Sequence, residues 1–243
     1  MQRLRDAAVV LRYQGSGVLC WRILVNCLKP LGQLRHLTFC EMDLSQTVRD
    51  VRARIDIQIG PATEDDIDDL VAMSAPEDVP VVEHERLRLM AHMLKSFRRG
   101  SRCIVARVGK EMVHSNWIHF PQCGPITITP GRYLNLGADE AYMTDGFTPR
   151  RWRGYGIHPA VNAYMLAYLQ RSGFRRSYTH LRSDNLSSWR GLARVGWPVA
   201  GSVLVFTLRG GFTFIWRSSG AIDHWLRTET PPSVSAAPLA PLV

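Results

Sequence analysis

Arg153-Gly154-Tyr155-Gly156-Ile157 lies between a strand-like run, Glu140 to Phe147, and a helical run, Pro159 to Arg171. A strand, a tight turn with two glycines and a helix start make a shape suited to phosphate. Gly154 and Gly156 let the backbone approach a ligand closely and turn its N–H groups inward. The helix that follows adds the partial positive charge of its N-terminus. That helix carries Val161, Tyr164, Met165 and Tyr168 on one side and ends at Gly173. The turn is no Walker loop, because no Gly-Lys-Ser/Thr follows. It also lacks GxGxxG and comes late in the chain, which argues against a dinucleotide fingerprint. An ordinary strand-to-helix turn would use the same two glycines, so a second motif has to decide.

Downstream, strand Ser177 to Arg182 leads into helix Leu186 to Val195, which Gly196 stops. A hairpin follows, Gly201 to Leu208 and Phe212 to Arg217, turning at Gly210-Gly211. Upstream, Arg54 to Ile59 alternates with period two and predicts a strand. Thr63 caps an acid-rich helix start with Asp66 at the capping-box position. Glu83 to Arg99 places Leu87, Met90, Ala91, Leu94 and Phe97 at helical spacing, and strands Arg102 to Val108 and Glu111 to Phe120 meet at a Gly turn. Hairpins and crossovers together predict an α/β (α+β) domain: a mixed-orientation sheet covered by helices.

Composition sets the outer bounds. The chain has 243 residues, 46% of them hydrophobic and 21% charged, which excludes a disordered or fibrous protein. Three zones separate: a basic, partly helical extension at 1–53, a domain at 54–228, and a Pro/Ala-rich tail at 229–243 expected to be disordered. The five cysteines are scattered without CxxC, which argues against a disulfide framework and a structural zinc, and for a reducing cytoplasm. No stretch approaches the roughly 20 apolar residues of a membrane span, and the start MQRLRDAAVV lacks a cleavage site. An amphipathic N-terminal helix with Val18, Leu19, Trp21, Ile23 and Leu24 on its apolar side would dock on its own domain or lie on a membrane surface.

Charge is divided along the chain. The formal net charge is +9, which points to an anionic partner. From Ile55 to Glu85 there are ten acids and no Lys or Arg, while Arg150 to Arg194 holds nine Arg and one acid, Asp184. Two solvated faces would explain this. So would a cleft that holds an anionic ligand on one side and a cationic one on the other.

With Asn185-Leu-Ser-Ser188-Trp-Arg-Gly-Leu192-Ala-Arg-Val-Gly196-Trp197, the chain resembles the GNAT superfamily of acyl-CoA-dependent N-acetyltransferases. That family's motif reads Asn-x-x-Ser/Ala-x-x-x-Tyr-x-x-x-Gly-Phe, and its phosphate loop reads Arg/Gln-x-x-Gly-x-Gly/Ala. Arg151-x-x-Gly154-x-Gly156 fits the loop letters, and Arg153-x-x-Gly156-x-His158 fails at the last one. The second frame nevertheless puts Gly173 and Asn185 at the family's spacing. The resemblance covers about 54 to 217, strongest from 140 to 197.

The resemblance implies a mostly antiparallel sheet whose fourth and fifth strands, here about Glu140–Phe147 and Ser177–Arg182, splay apart to admit pantetheine. Phe147 and Thr148 would end the donor-binding strand. The pyrophosphate would sit on the amides of Gly154, Tyr155, Gly156, Ile157 and His158, with Arg153 as charge partner assisted by Arg150 and Arg151. Asn185 and Ser188 would fix the channel mouth, although Asn185 is also a natural helix N-cap. His158 is either a phosphate partner, as an imidazolium, or a surface residue. Asp145 and Glu140, then His180 and His114, are the candidate bases, and Tyr178 a substitute acid, since Leu192 stands where relatives carry a Tyr.

The function so implied is transfer of an acyl group, expected to be acetyl, from acyl-CoA to an amine without a metal. The acidic stretch 64–85 suggests a cationic or amine acceptor, small molecule or peptide. The basic N-terminal zone would close the acceptor cleft, dock an acidic acyl carrier protein or touch anionic lipid. Two other classes compete: a catalytically degenerate acyl-CoA-binding domain with a regulatory role, and a nucleic-acid binder, which lacks a recognition helix.

Overall fold

In the computed structural model, which describes residues 16–74, 82–129 and 132–220, the strand β3 (Arg102–Val108) shows how the sheet is covered. Ile104 and Ala106 enter one apolar cluster, and Cys103 and Val105 enter another. Successive strand residues point to opposite faces, so this sheet is buried on both. It has eight strands. β1 is Gly32–Asp43, β2 Gln58–Pro61, β4 Glu111–His119, β7 Glu140–Phe147, β8 Arg176–Arg182, β9 Val199–Leu208 and β10 Thr213–Gly220, in the order β10-β9-β1-β8-β7-β4-β3-β2. Every neighbouring pair is antiparallel except β7 and β8.

The helices lie on both faces. α1 (Ser16–Leu28) precedes β1, and α2 (Ile67–Ser74) and α3 (Glu83–Arg98) supply Leu70, Val71 and Met93 to the cluster around Cys103 and Trp117. α4 (Ile157–Arg171) and α5 (Leu186–Val195) cover the other face with Val161, Met165, Leu169 and Val195. A small hairpin, β5 (Ile126–Thr129) and β6 (Arg132–Leu134), sits over Tyr142 and Tyr178.

Two expectations need correction. The sheet does not begin at residue 54: Gly32–Asp43, assigned to the extension, is an interior strand between β8 and β9. A bulge between Phe39 and Cys40 breaks its alternation, and the polar pair Arg35-His36 masks the rest. Conversely, Arg54 to Ile59 is mostly not a strand, since only Gln58–Pro61 pairs, with β3. The alternation is real, because Val51, Ala53, Ile55 and Ile57 pack on the α4 side. It belongs to an extended segment lying on the core without ladder partners.

α1 meets the domain through Trp21, whose ring stands edge-on to His36 at 5.9 Å, while Ile23 and Leu24 are exposed. Among the described residues no helix is long and apolar enough to cross a membrane. The tail 229–243 lies outside the described residues.

Candidate functional site

β7 and β8 run parallel and pair from Glu140↔Arg176 to Met143↔Thr179, and there the pairing stops. β8 continues against β1 as far as Arg182, so the two central strands part beyond Met143. The cause lies in β7. Ser115 of β4 faces Phe147 and Trp117 faces Thr144, so Asn116 alone opposes Asp145 and Gly146. This is a bulge, and at it Asp145 has φ +56, the one non-glycine residue at positive φ among those described. Asp and Asn tolerate this region better than other side chains do, yet holding it still costs about 1–2 kcal/mol. Strain of this kind marks places where the backbone is bent for a purpose.

On one side of the parting lies a cavity of about 510 Å³. Its wall includes Gly146, Phe147, Thr148, Arg153, Gly154, Gly156, Ile157, Asn185, Ser188, Arg190 and Arg194, and among the described residues no Asp or Glu contributes. Gly154 (φ +91) and Gly156 (φ +77) take the left-handed conformation that the turn requires. Among the described residues, the amides of Gly154, Tyr155, Gly156, Ile157 and His158 donate to no protein acceptor. Free amides at a helix start, with three arginines and no carboxylate, fit a pyrophosphate.

On the other side, a cavity of about 400 Å³ is walled by His92, Lys95, Ser96 and Arg99 from α3 and its C-cap, and by His119, Tyr142, Thr144, Asp145 and His180 from the sheet. The bulge explains why Thr144 and Asp145, adjacent in sequence, both face it. A third cavity shares Asp145 and His119 with this one and Gly146 and Phe147 with the first. The two sides therefore meet at Asp145-Gly146-Phe147.

Hydrogen bonds and burial set the protonation states around the acid. Tyr142 bonds through its hydroxyl to His180 Nδ1, and the two rings stack at 5.9 Å. Burial, then the charge of Asp145, pushes the Tyr142 phenol up, so it stays protonated and donates. Burial lowers His180 to about 4 despite the opposing pull of Asp145. His119 is lowered by burial and raised by Asp145, and its Nδ1 lies 2.8 Å from Ser101 Oγ. Asp145 is thus the carboxylate of this wall, set beside two imidazoles, His119 and His180, whose charged form burial disfavours.

A cavity of about 550 Å³ lies apart, between residues 48–59 and the outer side of α4. It contains neither the loop glycines nor any residue of the β7 bulge.

No protein-family model matches the chain, and no curated protein matches it. Solved structures do. A GNAT-family acetyltransferase from Colwellia psychrerythraea superposes at TM-score 0.51 with 14% identity, over 77% of this chain and 62% of that one. The chain has the GNAT fold. A GCN5-related glucosamine N-acetyltransferase region of a fungal multi-domain GH3 β-N-acetylglucosaminidase matches at 0.50, with 15% identity over 79% and 22% of the two chains. A conserved protein of unknown function from Staphylococcus epidermidis also reaches 0.50, at 13% identity over 74% and 64%. The chain spans less than two thirds of the length of each of these three.

Within the GNAT fold the expected residues divide. Phe147, Thr148, Arg153, Gly154, Gly156, Ile157, His158, Asn185 and Ser188 all line the first cavity. Tyr155 does not line it: its exposed ring packs near Trp152, and its carbonyl accepts the Arg54 N–H. Arg151 bonds to Glu111 at 2.6 Å, and Arg150 lies off the wall, so neither assists Arg153 there. Asn185 caps α5 by accepting the Ser188 N–H at 3.2 Å.

Of the expected catalytic residues, Asp145 and His180 come together and Glu140 and Tyr178 do not. The Tyr178 hydroxyl donates to Glu140 Oε1 at 2.6 Å, and Glu140 Oε2 accepts the Gly137 N–H. Both therefore tie down the paired end of β7. His114 is fully buried and lowered well below its usual value by burial and by His158, with Nδ1 2.7 Å from Thr148 Oγ1.

For His158, burial works against the imidazolium that a phosphate partner would need. Burial lowers it to about 4, and its ring is wedged between β7 and α5. A Cβ on Gly191 would lie 2.6 Å from its Cδ2, and one on Gly146 would lie 3.1 Å from its Cε1. Gly191→Ala should therefore destabilise by about 1–2 kcal/mol through overpacking, although Ala favours a helix interior. In a His158→Ala background the same change should stabilise by up to about 1 kcal/mol. Urea melts of the four proteins of this double-mutant cycle test the wedge, and equal effects in both backgrounds would remove it.

Arg190, Arg194, Tyr142 and His119 were not anticipated. Arg190 and Arg194 lie one turn apart on α5, and Arg194 Nη1 would stand 3.2 Å from a Cβ on Gly156. The i, i+4 spacing was visible in the sequence. The pair Asp145-Gly146, a dipeptide that favours left-handed backbone, was the available sign of the bulge.

Proposed function

We propose that this chain is an acyl-CoA-dependent N-acyltransferase, with acetyl-CoA the expected donor. The observation that carries the reading is the parting of β7 and β8 at a strained bulge. A carboxylate-free cradle of amides and arginines lies on one side of it, and a cavity holding Asp145 on the other.

The donor's pyrophosphate would rest on the Gly154–His158 amides and near Arg153, Arg190 and Arg194, and its acyl end would reach the bulge. An amine in the second cavity attacks the thioester carbonyl as the neutral base. Asp145 accepts the proton that the amine loses, directly or through water. The carbonyl oxygen gains charge as the new C–N bond forms, and a β7 backbone N–H freed by the parting would stabilise it. The C–S bond then breaks, and the thiolate takes a proton from water. Leu192, buried in the position of the family's Tyr, has none to give. A thiol of pKa about 8.5 makes this a modest handicap near neutrality.

Arg153→Ala should weaken acetyl-CoA about tenfold, the loss of one charge-assisted contact at a partly exposed site. Isothermal titration against acetyl-CoA and longer acyl-CoAs measures this and selects the donor chain length. Unchanged affinity would displace the pyrophosphate from this loop.

A second reading has specific support: an acyl-CoA-binding domain that regulates a partner without turnover. Leu192 and the wedged His158 favour it. Donor binding without thiol release across a broad amine panel would select this reading.

A further inference from the structure

We infer that the acceptor is an amine carrying its own anionic group, of about the size of an amino acid, and not a polyamine. The inference rests on the acyl-transfer reading and concerns its second cavity. His92, Lys95, Ser96 and Arg99 all line that cavity. Their spacing puts them on one face of α3 and its cap, so this wall presents two permanent cations and an imidazole. Across the space stand His119, His180 and Tyr142, none of them anionic, and among the described residues Asp145 is the only carboxylate in the lining. Among the described residues no carboxylate pairs with Lys95 or Arg99.

Among the described residues of the acidic stretch that suggested a cationic acceptor, two are held by arginines away from this cavity. Asp66 holds Arg107 at 2.6 Å and Asp68 holds Arg86 at 2.7 Å. Glu64, Asp65, Asp66, Asp68 and Asp69 line none of the cavities flanking the bulge. A diamine entering the second cavity would meet Lys95 and Arg99 with its far ammonium group, and like charges at close quarters are disfavoured. A carboxylate or phosphate at that end is attracted instead, while the reacting amine lies toward Asp145. The opposed charges orient the acceptor as well as bind it, and a volume of about 400 Å³ suits a small molecule.

The test uses matched acceptors with saturating acetyl-CoA and follows thiol release: L-lysine against cadaverine, γ-aminobutyrate against butylamine, phosphoethanolamine against ethanolamine. In at least one pair the anionic member should have a kcat/KM roughly 10- to 100-fold higher, the size of one or two charge-assisted contacts. Lys95→Met and Arg99→Met, at exposed positions on α3 and its C-cap, should each move that ratio toward one, chiefly by raising KM for the anionic member. Whether the carboxylate or the phosphate pair responds identifies the anion. Preference for the cationic or neutral member in every pair overturns the inference while acyl transfer stands. So does a ratio that survives both substitutions. Bound acetyl-CoA with no acylation of any amine removes acyl transfer itself, and the inference with it.

Discussion

Asp145→Asn is expected to lower kcat for acetyl transfer by two to four orders of magnitude while leaving the melting temperature within a few degrees of the parent. The reduction is the usual contribution of a positioned general base. The amide keeps the shape of the carboxylate and tolerates left-handed backbone nearly as well, so φ +56 at this position is preserved. Stability should change little on that account. Asp145→Ala would confuse the result, because alanine resists this conformation and adds about 1–2 kcal/mol of strain. Asp145→Gly supplies the converse control, since glycine relieves the strain and removes the base together. The measurement is acceptor-dependent thiol release at saturating donor, with a thermal melt of each variant. An Asn variant with kcat within fivefold of the parent would transfer the proton-accepting role to water or to His119, whose Nδ1 is bonded to Ser101.

Acid should unfold this protein well before its carboxylates titrate. His158 and His180 are both held near 4 by burial, against about 6.5 in an unfolded chain. Between those values the unfolded state takes up protons that the native state refuses, so stability is full above pH 6.5 and is lost as pH falls toward 4. Each histidine contributes a slope of about 1.4 kcal/mol per pH unit. Together, over that window, they remove about 6 kcal/mol, comparable with the whole stability of many domains. His114, lowered in the same direction, steepens the fall. Urea unfolding at half-unit steps from pH 7.5 to 4.5 gives the curve directly, and His180→Gln should flatten it by about the share of one group. Stability that stays level from pH 7 to 5 would mean that these imidazoles are not buried neutral.

Much of the site could be read from the residues, and the reasons are local. Gly154 and Gly156 announce positive φ because nothing else adopts it cheaply, and Asn185 and Gly196 announce the two ends of α5 for equally short-range reasons. Asp145 was legible as a candidate but not as the one favoured over Glu140. A regular strand would place the two on opposite faces, and only the bulge decides which residue turns toward the acceptor cavity. The partner of a strand was not legible at all. Gly32–Asp43 carries polar side chains and a bulge, and its neighbours lie some 140 and 170 residues away. Local pattern cannot encode pairing at that separation. The same limit hid the true use of the acids at 66 and 68, because Arg107 and Arg86 reach them only through the fold.

An interior strand of the sheet, β1, is made before every other strand of it among the described residues. β1 has both its edges satisfied by β8 and β9, yet residues 176–208 are made only after some 130 further residues have been added. At ordinary rates of synthesis that is a delay on the order of ten seconds. Throughout it Leu37, Phe39 and Cys40, buried in the finished molecule, lack the two strands that flank them in the sheet. The nascent chain cannot lock its core from the front. It must hold an apolar strand in reserve until the rear of the domain arrives.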